Sequence, residues 1–484
     1  MSSSFPQAGM QFIDGAFCDG TGETTIQLIN PATGAAILGF ASASPADVEK
    51  ALHASAKGFS IWKAETPKAR QKVLAQAAAL IAERCEEIAS DLTRESGKPI
   101  KEARIEVNTS AEILSYYAEE AKRVYGRLVP AVTPGLTQRV IHDPVGPVVA
   151  MVAWNFPAVN YMRKVAASLA AGCSVTIKPS EETPLTGLHF ARAFQDAGLP
   201  AGVLNVVYGN PAAISQQMCA SDIPRKLSFT GSVPVGRELI KLASENLIRT
   251  TMELGGHAPF IVFEDADIDH AANLMVAGKF RNAGQVCVSP SRFLVHESVH
   301  DAFVARVIEN ARKLKIGDGL DETTDMGPLA NVRRREAMEH LLSDALNKGA
   351  SLLWQGAVPD SEGFYFAPAI LGNIAPDSLL LTEEIFGPIA PIVTFASVDE
   401  AIEMANSVPY GLAAYAFTSD QGTLRRVGDE IHAGMTAINT LQVASPETPF
   451  GGLGWSGWGS DGGPEGLSAF LSVRLVNEAL APGK

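Results

Sequence analysis

Hydrophobic and polar positions fall into three patterns along the chain. From Gln11 to Leu38, short apolar pieces such as F-I-D-G-A-F and I-Q-L-I-N-P-A-T-G are broken by Gly, Asp and Thr, which predicts a β-hairpin. Apolar residues then recur at helical spacing. Ser44-Pro45-Ala46-Asp47 ahead of V-E-K-A-L-H-A-S-A-K is a capped helix start, Thr66-Pro67 opens a second helix running towards Ser90, and a third spans about Ile100 to Tyr125 after the Gly97-Lys98-Pro99 break. From Gly146 to Val207, β-rich runs (V-V-A-M-V-A-W, S-V-T-I-K-P, V-L-N-V-V-Y) alternate with helical ones. That alternation predicts an α/β fold whose parallel sheet carries helices on both faces and binds ligands beyond the carboxyl ends of its strands. Two distant segments, Leu136 to Asp143 and Leu471 to Asn477, alternate like exposed strands.

Length and charge narrow the picture. A chain of 484 residues exceeds what one hydrophobic core supports, so two or more lobes are expected. The net charge of −14 argues against nucleic acid or an anionic membrane as partner, while leaving room for a local basic pocket. The longest uncharged run, Pro144 to Met162, approaches bilayer length, but Pro144, Pro147, Pro157, Asn155 and Asn160 break or polarise it, so no membrane span is expected. The opening M-S-S-S-F-P-Q-A-G-M lacks the basic start and apolar run of a signal peptide, so the mature chain is expected to begin there. Cys18, Cys85, Cys173, Cys219 and Cys287 form no C-x-x-C pair and have no His-rich companion. Neither a disulfide framework nor a metal site is expected, and a reducing compartment, the cytoplasm, is.

Candidate chemistry gathers at strand ends and on one loop. Gly278 to Val288, G-K-F-R-N-A-G-Q-V-C-V, reads as a helix that ends in an irregular turn, because Asn282, Gly284 and Gln285 interrupt Phe280, Ala283 and Val286. Cys287 is then either a thiol presented among hydrogen-bonding groups, as a nucleophile requires, or a small buried hydrophobe. Asn155 in Trp154-Asn155-Phe156-Pro157 is a turn residue or an amide donor to an oxygen that becomes negative in a transition state. Ile177-Lys178-Pro179-Ser180-Glu181 is a charged loop or a ribose grip, in which a glutamate accepts from two ribose hydroxyls and repels a 2′-phosphate. Lys226 to Gly236, K-L-S-F-T-G-S-V-P-V-G, departs from G-x-G-x-x-G and is a plain turn or a pyrophosphate seat. Glu253 in Met252-Glu253-Leu254-Gly255-Gly256 is a solvated strand-end acid or a mobile general base; the adjacent His257 reads as a loop histidine satisfied by backbone. Arg163 and Arg281 lie close in sequence to these groups. Guanidinium suits a carboxylate, although a helix start and an interior ion pair explain them singly.

Taken together, F-R-N-A-G-Q-V-C, W-N-F-P, the K-P-S-E loop, F-T-G-S, E-L-G-G and Glu384-Ile385-Phe386-Gly387-Pro388 resemble the NAD(P)-dependent aldehyde dehydrogenases over essentially the full chain. The resemblance implies an aldehyde dehydrogenase-like α/β fold of two Rossmann-like lobes with a small β oligomerisation arm. Its implied units are residues 1–128 and 148–252 for cofactor, 253–450 for catalysis, and 129–147 with 451–484 for the arm, hence a homodimer or homotetramer. It implies Cys287 as nucleophile, Asn155 as oxyanion donor and Glu253 as base. Trp154, Lys178, Ser180, Glu181, Gly231, Ser232, Gly236, Glu384 and Phe386 are implied for the cofactor, NAD by virtue of Glu181, with NADP allowed. Among such enzymes the chain is most similar to succinate-semialdehyde dehydrogenases, where two arginines and a serine at the positions of Arg163, Arg281 and Ser445 hold the substrate carboxylate. A small-molecule semialdehyde is therefore the expected substrate. Neutral aldehydes, or CoA-acylating chemistry, which Glu253 argues against, are the alternatives. Two features depart from the relatives: Ser289 replaces a possible second cysteine, and Gly452 to Trp458 carries Trp455 and Trp458 where a lysine is usual, either narrowing the substrate tunnel or covering a subunit contact.

Overall fold

Capping chemistry sets where the helices begin in the computed structural model, which describes residues 9–479; the opening residues read for a leader lie largely outside the described residues. Two hairpins, β1 (Gln11–Ile13) with β2 (Ala16–Cys18) and β3 (Thr25–Ile29) with β4 (Ala36–Ala41), replace the one expected. Then α1 (Pro45–Trp62) starts on a reciprocal box: the Asp47 N–H donates to Ser44 Oγ at 3.2 Å, and the Ser44 N–H donates to the Asp47 carboxylate at 2.8 Å. The second helix stops earlier than its periodicity implies, giving α2 (Pro67–Glu83) and α3 (Cys85–Ser96). Arg84 leaves helical geometry at φ −93° and ψ 15°, and its guanidinium pairs with Asp196 at 2.7 Å. That partner comes from a distant helix, so the local pattern runs through the break unmarked. The third helix, α4 (Ile100–Glu120), ends in a 3-10 turn, Ala121–Arg123.

The arm strands β5 (Arg127–Val129) and β6 (Leu136–Pro144) precede the alternating region: β7 (Val148–Met151), α5 (Pro157–Ala171), β8 (Val175–Lys178), α6 (Pro184–Asp196), β9 (Leu204–Val206), α7 (Pro211–Ala220), β10 (Lys226–Thr230), α8 (Val233–Glu245) and β11 (Arg249–Glu253). Strands 9-8-7-10-11 pair in parallel, as four-residue runs buried on both faces should. The first hairpin joins one edge antiparallel through Phe12 and Val206. A second sheet is built from β12 (Ala258–Val262), followed by α9 (Ile268–Phe280), then β13 (Pro290–His296), α10 (His300–Ala311), α11 (Val332–Asn347), β14 (Ser351–Gln355), β15 (Ala369–Gly372) and β16 (Ile389–Phe395). With β17 (Tyr410–Gly411) set aside in a small ribbon, β18 (Ala413–Phe417) and β19 (Met435–Ile438) complete the order 14-15-16-13-12-18-19, parallel except at β14.

After these sheets come β20 (Leu453–Gly454), β21 (Gly457–Trp458) and β22 (Leu471–Ala479). The last pairs antiparallel with β6 along its whole length, Leu471 opposite Pro144 and Ala479 opposite Leu136, to make a three-stranded arm. Residues 453–458 do not follow it: β20 pairs with β17, and β21 adds to the first sheet beside β11, with Trp458 opposite Met252 and Gly457 opposite Glu253. The two lobes therefore meet where β7, β10 and β11 end and β12 begins. No helix among the described residues is long and apolar enough to cross a membrane, and none of them form a group of three or more acids, histidines or cysteines placed for a metal.

Candidate active site

Asn155 sits just past β7, where the chain turns into α5 with Pro157 in its first turn, a position that tolerates the missing N–H. Its side-chain Nδ2 donates to the Gln285 carbonyl at 3.1 Å, and its own carbonyl receives Lys98 Nζ at 2.9 Å and Asn282 Nδ2 at 3.0 Å. The cysteine loop is held from the other side. After α9, Asn282 and Ala283 take φ of 47° and 52°, left-handed values that cost an ordinary residue about 1–2 kcal/mol. Gly284 follows at φ 74°, and a Cβ there would fall 2.2 Å from the Gly387 carbonyl oxygen, so only glycine lets the cysteine loop pass the Glu384-Ile385-Phe386-Gly387-Pro388 turn. Gly255, between β11 and β12, leaves room for the Glu384 carboxyl: a Cβ would fall 2.2 Å from Glu384 Oε2.

A cavity of ≈ 270 Å³ opens between these segments, lined on its reactive side by Asn155, Glu253 and Cys287. Its other wall holds Trp154, Gly231, Ser232, Glu384 and Phe386. Trp154 and Phe386 meet edge to face at 5.6 Å between ring centres. Gly236 lies one turn into α8, where a Cβ would meet Leu254 at 2.6 Å; it sets how closely the helix approaches the strand end and does not line the cavity. Lys178 pairs with Glu181, Ser180 Oγ accepts from the Glu182 N–H at 3.2 Å, and Glu181 lines a separate groove with Pro211, Ile214 and Gln217.

The electrostatics differ from the sequence expectation. Cys287 keeps partial exposure, yet burial of its sulfur, then the charges of Glu384 and Glu253, push the thiol up to about 12; Arg163 opposes them. It is a protected thiol, not a standing thiolate. Glu253 is 3 % exposed rather than solvated, and neither carboxylate oxygen has a hydrogen-bond partner. Burial first, and then the Asp461 charge, hold its carboxyl well above the usual range, with Lys164 and Arg163 opposing. Glu384 is pushed up to about 7 by burial, against the Gly256 N–H at 3.0 Å and Arg334.

A model of the aldehyde dehydrogenase family matches residues 17–476 of this chain. The chain belongs to that family. Among its relatives, the 4-(hydroxymethyl)benzenesulfonate dehydrogenase of Comamonas testosteroni is 42% identical over 96% of this chain and 97% of its own, and a succinate-semialdehyde dehydrogenase of Paenarthrobacter nicotinovorans is 41% identical over 91% and 98%. The crystal structure of succinate-semialdehyde dehydrogenase from Burkholderia pseudomallei superposes with a TM-score of 0.97 at 37% identity, covering 99% of this chain and 100% of that one. The protein is thus an aldehyde dehydrogenase of the NAD(P)-using family, acting on small-molecule aldehydes.

In this aldehyde dehydrogenase the three residues expected at the substrate carboxylate are not gathered. Arg163 lines the cavity, its guanidinium 3.9 Å from the Phe450 ring centre and its Nη1 donating to the Asp461 carbonyl at 3.4 Å. Arg281 does not line it; its guanidinium lies 5.0 Å from the centre of the Phe156 ring, near Glu102. Ser445 closes a turn with Thr448, whose Oγ1 lies 3.4 Å from the serine Oγ, and does not line it either. Trp455 and Trp458 stand outside the cavity and about half exposed, the first against Arg237 and Tyr410, the second donating to Thr250 Oγ1 at 3.1 Å. Neither narrows this cavity. His257 is buried and held neutral, chiefly by desolvation, and lies apart from it. Sequence reasoning missed Asp461, which pairs with buried Lys164 at 2.6 Å, and Arg334, whose Nη2 donates to the Ile385 and Phe386 carbonyls at 2.8 and 2.9 Å. Asp461 carries no local signal. The run Arg333-Arg334-Arg335 reads as an ordinary solvated helix face.

Proposed function

We propose that the enzyme oxidises an aldehyde bearing a distal carboxylate, succinate semialdehyde or a close relative, to the acid with NAD, by way of a thioester on Cys287. The observation that carries this reading is the joint lining of one cavity by Cys287, Glu253, Asn155 and Arg163. The donor set suits a dinucleotide: Glu384 offers an acid for ribose hydroxyls, Gly231 and Ser232 open the N-terminus of α8 to phosphate, and Trp154 and Phe386 flank a flat ring. When bound, the nicotinamide supplies the hydride acceptor. Glu181, a carboxylate near the adenosine-side groove, favours an unphosphorylated ribose and hence NAD over NADP.

The chain's own groups do the rest. Cys287 gives up its proton to solvent and attacks the carbonyl carbon as the thiolate, and Asn155 Nδ2, with the Cys287 backbone N–H, donates to the oxygen as it becomes negative; losing one such donor costs roughly 3 to 4 kcal/mol of barrier. Once hydride has left, Glu253 takes a proton from water, which adds to the thioester and releases the acid without CoA. Arg163 supplies the positive charge for the distal anion. A second reading, a sulfonate in place of the carboxylate, draws support from the 42% identical sulfonate-handling relative, because a guanidinium pairs with either anion.

Initial rates with NAD and with NADP, on succinate semialdehyde, glutarate semialdehyde, a sulfonated benzaldehyde and a neutral aldehyde of matched length, test this reading in wild type, Arg163→Ala and Arg281→Ala. Preference for one class of anionic aldehyde that collapses in Arg163→Ala is expected. Equal rates on the neutral aldehyde, unchanged by either variant, would remove the anion from the proposal.

A further inference from the structure

Behind the cavity, α4 presents a charged stripe where an apolar face would be expected. Lys98, just before the helix, and Glu106 are fully buried and ion-paired, and half-buried Glu102 lies between them on the same face. Each reaches a different part of the reactive wall. Lys98 Nζ donates to the Asn155 carbonyl at 2.9 Å and lies 3.8 Å from the centre of the Phe156 ring. Glu106 Oε1 accepts from the Ala158 N–H at 2.8 Å and the Val159 N–H at 3.3 Å, the free donors at the start of α5, which has no side-chain cap of its own. Glu102 accepts from the Asn282 N–H at 3.0 Å, and Asn282 in turn donates to the Asn155 carbonyl. The Asn155 carbonyl and Nδ2 and the Ala158 and Val159 N–H groups are therefore tied to this stripe or to the cysteine loop, while Asn155 Oδ1 accepts from Asn160 Nδ2 at 3.3 Å.

We infer that the buried Lys98–Glu106 pair is a positioning device for Asn155, fixing where its side-chain amide points relative to Cys287. The inference rests on the reading of Asn155 as the oxyanion donor. A buried ion pair is poor value for stability alone, since apolar residues of like volume do as well or better. Here Lys98 also donates to the Asn155 carbonyl, and Glu106 also accepts from the first turn of α5, which that carbonyl leads into. A shift of about 1 Å in a group of this kind costs on the order of 100-fold in rate. Neither residue touches the cavity, so the effect runs through Asn155.

The test is a pair of double-mutant cycles: Lys98→Met and Glu106→Gln, each in wild type and in Asn155→Ala, with the NADH burst rate constant, kcat, KM, cofactor affinity by fluorescence titration, and melting temperature measured for all. Glu106→Gln is isosteric and keeps an acceptor for α5, so it serves if Lys98→Met does not fold. The inference expects the burst rate to fall about 10- to 100-fold in the single variants, with cofactor affinity within about two-fold of wild type, and little further loss in the Asn155→Ala background. Equal losses in both backgrounds, or a lowered melting temperature with an unchanged burst rate, would make the pair merely structural and overturn it. If Asn155→Ala itself kept the wild-type burst rate, the reading of Asn155 would be the one to fail.

Discussion

At Cys287 the balance of nearby charges governs reactivity. The thiol stands at about 12 because burial, Glu384 and Glu253 all oppose its anion, so removing one carboxylate favours the thiolate. Glu384→Gln is accordingly expected to speed alkylation of Cys287 by iodoacetamide at pH 8 several-fold without cofactor; an unchanged or slower rate would contradict the assigned cause. Glu253 behaves in the opposite sense. It must lose a proton to act as base, and burial, then the Asp461 charge, raise its pKa, so the rate of acid release is expected to climb as pH rises. Asp461→Asn should move that limb to lower pH and Glu253→Gln should remove it, as a pH profile of thioester hydrolysis would show. The substrate arginines are the residue-scale lesson: Arg163 reached the cavity, whereas Arg281 found an aromatic ring to stack on.

Among elements, α6 shows how a remote acid replaces a local cap. Thr183 makes no side-chain cap, and Glu95 of α3 instead accepts from the Leu185 and Thr186 N–H groups at 2.7 and 3.0 Å and from the Thr186 hydroxyl. Burial raises the Glu95 carboxyl to about 8 from its usual 4.5. A raised carboxyl binds more protons folded than unfolded, so its contribution to stability is fully present below about 4.5 and lost as pH rises through about 8. The denaturant midpoint is expected to decline across that window in wild type and to decline less in Glu95→Gln, even if the variant is weaker at every pH. Matching slopes would show that another group titrates there. The α2–α3 break has a similar origin, in the Arg84–Asp196 pair, and so escaped the local pattern.

For the whole molecule, the arm is the feature that one chain leaves unfinished. β22 has β6 on one edge and no partner on the other among the described residues, while Val473 and Leu475 are 68% and 58% exposed on one face. Apolar side chains on an open strand edge favour pairing with a second copy, so size-exclusion chromatography with light scattering is expected to give a dimer or tetramer. Val473→Asp with Leu475→Asp should shift the mass towards the monomer with helix content intact; an unshifted mass would place the contact elsewhere.

Local patterning was enough to mark the alternating strands and helices of the first lobe and the two exposed strands of the arm, because backbone periodicity is written within a few residues; at Asn155, Glu253 and Cys287 it left turn, solvated acid and buried hydrophobe open beside chemistry, and only the family resemblance chose between them. Tertiary structure alone decided the rest. It brought Asp461 to Glu253 and Lys98 to Asn155, withdrew Arg281 and Ser445 from the cavity, sent residues 457–458 into the first sheet, and turned Cys287 into a protected thiol. The charge and desolvation at Glu253 and Cys287, and the partners of Asn155, come from segments far away in the chain, and none of them is in place until the lobes close on one another.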